Sequence, residues 1–214
     1  MSAAPVRHIA IEGPIGVGKT TLARRLAVRL GARALLERPQ DNPFLARFYT
    51  DGARYAFHAQ VVFLLQRVDQ ARELAQPSMF TPLVVSDFMF DKDALFARLT
   101  LSDDEHRLYR QMHRELAPAL RSPDRVVWLR APVDVLQRRI AARGIAMEQG
   151  IGADYLERLA DAYAEHFAAR PQLRVTEVDT ADVDWTSDDG VLDRLVRRLD
   201  LDDAGAAVRE RLTG

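Results

Sequence analysis

Gly13-Pro14-Ile15-Gly16-Val17-Gly18-Lys19-Thr20-Thr21 fits the pattern G-x-x-x-x-G-K-[ST]. That spacing suits the chemistry of phosphate. Glycines at 13, 16 and 18 let backbone N–H groups turn inward around phosphate oxygens, which a Cβ would obstruct. The cradle so formed comprises Gly13, Gly16, Val17, Gly18, Lys19, Thr20 and Thr21. Lys19 brings a mobile positive charge to the β- and γ-phosphates, and the Thr20 hydroxyl is placed to ligate Mg²⁺. The motif therefore implies a nucleoside triphosphate ligand. Two acids could act beside it. Glu37 ends the strand-like segment 32–37, and Asp87 ends the apolar segment 82–87. Open α/β sheets place their ligands at such strand ends. Asp87 is the natural carboxylate for Mg²⁺ or its bound water. For Glu37 taken alone, a solvated charge is the simpler explanation. Further candidates are Gln60 with Arg67, seven residues apart, and Arg139 with Arg143, four apart. Each pair shares a helical face.

The elements that must position these groups follow from the pattern. Strands are expected over 6–11, 32–37, 82–87, 125–130 and 173–178. Helices are expected over 20–30, 44–49, 53–74, 102–116, 132–143, 154–167 and 190–199. Phe57, Val61, Leu64, Leu65 and Val68 recur at helical spacing and read as a core-facing stripe. Gln60 lies among them, where its amide needs a partner; a surface Gln/Arg pair is the plain alternative. Asp91, Lys92 and Asp93 open a helix, where acids favour the dipole. Ser102 with Glu105 forms a capping box. Arg139 and Arg143, followed by three glycines between 144 and 152, suggest a helical lid over a phosphate site. A solvated basic face would explain the same arginines. Residues from Asp202 onward read as a weak helix or a frayed tail. Strands alternating with helices make this an α/β doubly wound domain.

Composition narrows the reading further. The 214 residues are 48 % hydrophobic, enough for one sizeable core and a single domain. A formal charge of −1 gives no reason to expect a nucleic-acid partner. The absence of cysteine excludes disulfides and thiolate metal sites. His8, His58, His106, His113 and His166 show no metal-ligand spacing. No apolar run approaches membrane-spanning length and 1–5 is too short for a signal peptide, so a cytoplasmic protein without membrane partner is expected.

Four linked signatures go beyond the phosphate loop. They are Glu-Gly-Pro-Ile-Gly-Val-Gly-Lys-Thr-Thr (12–21); Glu37 with Asn42-Pro43-Phe44-Leu45 and Phe48-Tyr49; Gln60 with Phe63-Leu64 and Arg67; and Arg139-Ile140 with Arg143-Gly144, Glu148, Gln149, Gly150 and Ile151. With them the chain resembles the deoxynucleoside kinases, and among these the bacterial deoxyadenosine and deoxyguanosine kinases, from about 9 to 167. The resemblance implies a P-loop kinase with a five-stranded parallel sheet flanked by helices, a lid at about 139–152, and a homodimer. It implies transfer of the ATP γ-phosphate, with Mg²⁺, to the 5′-hydroxyl of a deoxynucleoside, a purine one by likeness to the bacterial members. Glu37 would be the general base, Tyr49 and Glu148 would hold the 3′-hydroxyl, and Gln60 would pair with a base edge. Arg67 would lie at the far end of the base pocket, and Phe63 and Phe88 are candidate ring partners. Arg139 and Arg143 would neutralise the transferring phosphoryl group.

The chain also departs from the family pattern. Relatives often carry an acid followed by Arg-Ser after the third strand, where this chain has Ser86-Asp87-Phe88-Met89-Phe90. A further lid arginine is replaced by Ile145. Either Asp91 or Asp93 could bond Arg67. Two other readings compete: a thymidylate-type nucleoside-monophosphate kinase, and a regulatory P-loop NTPase. The first needs extra cations for an acceptor phosphate, and no Asn-Lys-x-Asp motif supports a guanine switch.

Overall fold

The computed structural model describes residues 6–76, 83–90, 92–116, 122–183 and 188–201. Five parallel strands form one sheet: β1 (His8–Glu12), β2 (Arg33–Leu35), β3 (Val84–Ser86), β4 (Arg125–Arg130) and β5 (Val175–Asp179). Their order is β2-β3-β1-β4-β5, with β1 central and paired to both β3 and β4. The chain leaves β1 for the far edge and later crosses to the other side. That reversal opens a crevice at the carboxyl ends of β1 and β3. Consecutive β1 residues point to opposite faces, and both faces are covered. Ile9 and Ile11 join Val127 and Leu129 in a core with Leu22, Leu26, Leu192 and Leu195. Ala10 joins Val126 and Trp128 in a second core with Leu95, Leu159, Tyr163 and Phe167.

The helices are α1 (Lys19–Leu30), α2 (Leu45–Thr50), α3 (Gly52–Ala75), α4 (Lys92–Thr100), α5 (Asp103–Leu116), α6 (Val133–Arg143), α7 (Ala153–Ala168) and α8 (Asp189–Arg198). Short 3-10 turns cover Pro39–Asp41 and Ala146–Glu148. The capping box forms, with Ser102 donating to Glu105 Oε2 through both its N–H (3.0 Å) and its hydroxyl (2.7 Å).

Several expectations need correction. The second and third strands are shorter than expected, so Glu37 and Asp87 stand just beyond their ends, where the loops turn over the crevice. In the expected α3 stripe, Leu64 and Val68 are buried but Leu65 is 48 % exposed. Gln60 and Arg67 are buried instead, so the polar pair occupies part of the inward face. Lys92 and Asp93 open α4 as expected, and both are buried there. Asp91, 1–5, Pro82 and the tail from Asp202 lie outside the described residues.

His8 takes a structural place in the sheet. Its Nε2 lies 2.8 Å from Ser86 Oγ on the neighbouring strand. Burial lowers its pKa to about 4, against the pull of Asp124. The folded chain thus refuses a proton that the unfolded chain accepts below 6.5. Stability is therefore lost as pH falls through that window. Thermal melts between about pH 7 and 5 should show a shallower acid decline for His8→Gln than for the natural chain.

Candidate active site

The phosphate loop leaves β1 through a backbone that only glycine supports. Gly13 has φ 145°, and a Cβ there would stand 2.4 Å from the Leu129 carbonyl oxygen. Gly18, at φ 101°, turns the chain into α1, whose N-terminus faces the crevice. Lys19 Nζ donates to the carbonyls of Gly13 (2.8 Å) and Pro14 (3.0 Å). Its burial, and next the Lys92 ammonium, lower its pKa to about 8. Thr20 Oγ1 donates to Asp87 Oδ2 at 2.5 Å, and Asp87 Oδ1 accepts from the Glu37 backbone N–H at 2.8 Å. A hydroxyl and a carboxylate in contact are the oxygen donors that suit Mg²⁺, which keeps its remaining positions for water and substrate phosphates. Among the described residues no group of three or more His, Cys, Asp or Glu side chains could hold a metal.

Glu37 is the centre of a buried charge cluster. Arg67 donates to its Oε1, and Lys92 Nζ lies 2.8 Å from its Oε2. Burial would raise its pKa, yet Lys92 and then Arg67 hold the carboxyl well below the ordinary range. Its side chain stays 19 % exposed, toward the cavity. Arg67 is fully engaged: its Nε lies 3.4 Å from Asp93 Oδ1, another nitrogen donates to Gln70, and the guanidinium stacks 4.2 Å from the Phe88 ring centroid. The structure thus pairs Arg67 with Asp93. Burial pushes the Asp93 pKa up, with Arg67 opposing. Its Oδ2 is buried without a partner.

These groups line a cavity of about 410 Å³. Gly16, Val17, Gly18, Lys19, Thr20 and Thr21 form one end. Glu37, Tyr49, Gln60, Arg67, Asp87, Arg139, Arg143 and Glu148 border the rest. Gly13, expected in the cradle, lies behind the wall, where it shapes the loop. Phe63 lines the cavity, but Phe88 does not; it is 1 % exposed and supports Arg67 from below. That corrects its expected role as a ring partner. Phe48, part of a signature quoted above, adds aromatic wall, as do Phe96 and Tyr155, which sequence reasoning did not single out. The two α6 arginines have protein partners: Arg143 pairs with Glu148, while Arg139 donates to Thr180 Oγ1 at 2.9 Å and to the Thr180 carbonyl. Tyr49 stands beside Tyr155 and Glu148, and burial followed by those neighbours raises its pKa.

A family model described as "Deoxynucleoside kinase" matches residues 9–201. This chain belongs to the deoxynucleoside kinase family. The kinase is 32 % identical to the deoxyguanosine kinase of Bacillus subtilis (strain 168), over 93 % of this chain and 98 % of that protein. It is 26 % identical to the deoxyadenosine/deoxycytidine kinase of the same organism, over 89 % and 90 % of the two chains. Among solved structures it resembles a deoxyadenosine kinase from M. mycoides with products dCMP and a flexible dCDP bound. The TM-score there is 0.77 at 23 % identity, covering 89 % of this chain and 99 % of the other. Membership makes this protein an ATP-dependent phosphotransferase acting on deoxynucleosides, and sets aside the monophosphate-kinase and regulatory readings. No described helix is long and apolar enough to cross a membrane.

Two charged groups of the kinase escaped the sequence reading. Lys92 shares a helical face with Leu95, Phe96 and Leu99, so a cation stood in a core-facing pattern and could have been noticed. Glu12, at the end of an otherwise apolar strand, is 1 % exposed and accepts from Tyr163 Oη at 2.8 Å and from the Met89 N–H. It joins the phosphate loop to α7 and to the loop after β3. Burial raises its pKa, with Lys92 the first opposing influence. Tyr163→Phe removes one of these bonds and should lower unfolding free energy by about 1 kcal/mol in urea titrations.

Proposed function

We propose that the kinase phosphorylates a purine deoxynucleoside at its 5′-hydroxyl, with Glu37 as general base and Mg²⁺ held at Thr20 and Asp87. The observation that carries this reading is the position of Glu37. Its carboxylate faces the cavity between the phosphate loop and the pocket bordered by Tyr49, Gln60 and Glu148. The loop amides and Lys19 bind the triphosphate, and Gln60 offers an amide to the base edge. Tyr49 and Glu148 take the 3′-hydroxyl, which orients the sugar so that its 5′-oxygen meets the γ-phosphorus in line. Glu37 then receives the hydroxyl proton. Arg143 moves from Glu148 to the phosphoryl oxygens, and Arg139 contributes from the same helical face. Thr20 and Asp87 would hold Mg²⁺, which would supply positive charge against the phosphates. The purine preference rests on likeness to relatives named for deoxyguanosine and deoxyadenosine. We also take the kinase to be a homodimer, as the family resemblance implies.

Glu37→Gln should lower kcat by about 100-fold or more while ATP affinity, measured separately, is kept. Near-normal turnover would remove Glu37 from the role. Gln60→Ala should change the ranking of the four deoxynucleosides in kcat/KM. An unchanged ranking would exclude base reading by that amide.

A further inference from the structure

Five cations line the cavity: Lys19, Arg67, Lys92, Arg139 and Arg143. Four have evident places. Lys19 sits in the phosphate loop, and Arg67 is held by Glu37, Asp93, Gln70 and the Phe88 ring. Arg139 and Arg143 belong to the lid. Lys92 is left over. It reaches the cavity from the first turn of α4, with its ammonium 2.8 Å from Glu37 Oε2 and 5.3 Å from the Phe96 ring centroid. Arg67 takes the other carboxylate oxygen, Oε1, and leads away to Asp93. Lys92 stands on Oε2 and lines the same cavity as Lys19 and the phosphate loop.

The geometry points to Lys92 as a second phosphoryl cation, which clamps Glu37 before the reaction and ligates the transferring phosphate group during it. This assignment rests on the reading of Glu37 given above. As the 5′-oxygen bonds to the γ-phosphorus, the bond from that phosphorus to the β,γ-bridging oxygen breaks, and its electron pair leaves on ADP. The hydroxyl proton passes to Glu37. Glu37 thereby loses its charge, and the ammonium beside it loses its ionic partner while phosphoryl oxygens arrive within reach. A buried cation without a counter-charge is costly, so the exchange of partners favours the forward step. The segment Ser86-Asp87-Phe88-Met89-Phe90 supplies no cation of its own, and Lys92 stands two residues beyond it.

The test is a cycle in the full chain, comparing Lys92→Met, Lys92→Arg, Glu37→Gln and the double variant Glu37→Gln/Lys92→Met. Turnover is measured with ATP, Mg²⁺ and the best of the four deoxynucleosides. Lys92→Met should lower kcat about 100-fold with KM for ATP changed less than about threefold, and Lys92→Arg should keep about a tenth of the natural kcat. The double variant should be about tenfold slower than Glu37→Gln alone, because the phosphoryl contact is lost as well. Equal rates for those two would overturn the assignment, leaving Lys92 acting only through the carboxylate. If Lys92→Met does not fold, the double variant still decides, since it buries neither charge of the pair. Near-normal turnover in Glu37→Gln faults the general base and leaves the same comparison as the test of the lysine.

Discussion

Burying charge in a protein is tolerated only where partners surround it, and Glu37 shows how much of this fold follows from that constraint. Its carboxylate is met by Arg67 from α3 and Lys92 from α4, while its backbone N–H is held by Asp87 at the end of β3. Asp93 pairs with Arg67 as well. Two acids and two cations thus form a nearly neutral cluster. Removing any one member would leave an uncompensated charge, which costs about 3–5 kcal/mol in buried pairs. Three elements distant in sequence are therefore held in one arrangement by a single requirement. Fixed dipoles and charges of this kind stabilise a transition state most effectively when they are held in place by the fold.

The same cluster sets the character of Glu37 as a chemical group. Lys92 and Arg67 hold it ionised, which makes it available to accept a proton but weakens it as a base. Phosphoryl transfer through a loose transition state asks little of base strength and much of position. A clamped, weakly basic carboxylate suits that demand better than a free one with an ordinary pKa. Glu12 does comparable work one layer down. Through Tyr163 and the Met89 N–H it ties the phosphate loop to α7 and to the loop after β3, so the nucleotide end and the acceptor end share a rigid base.

Arg139 and Arg143 on α6 are held differently. Arg139 and Arg143 end on partners of the protein's own, Thr180 and Glu148, and α6 stops at Gly144 with φ 68°. Each arginine must exchange a protein oxygen for a phosphate oxygen if it is to act on the triphosphate. Because guanidinium groups stay charged and bind oxygen pairs equally well in either setting, such an exchange costs little. Arg143 remains 45 % exposed, whereas Arg67 is almost fully enclosed, and that contrast separates the group free to move from the group that is fixed.

The amino-acid sequence by itself determined the phosphate loop, the alternation of strands and helices, and the family signatures. Each is carried by residues close in the chain, where spacing alone fixes geometry. Gly13 is legible because its φ and the approach of Leu129 leave no room for a Cβ, a demand that appears locally as a glycine. Tertiary structure alone decided the rest. Lys92 and Asp93 looked like helix-start charges because nothing nearby in sequence reveals that Glu37, 55 residues from Lys92, stands opposite. Phe88 looked like a base partner until Arg67 was found resting on its ring, and Leu65 looked internal until Gln60 and Arg67 took the inward face. Charge pairing acts through space, while periodicity acts along the chain; a polar group buried by a distant partner is therefore the feature that sequence pattern cannot express.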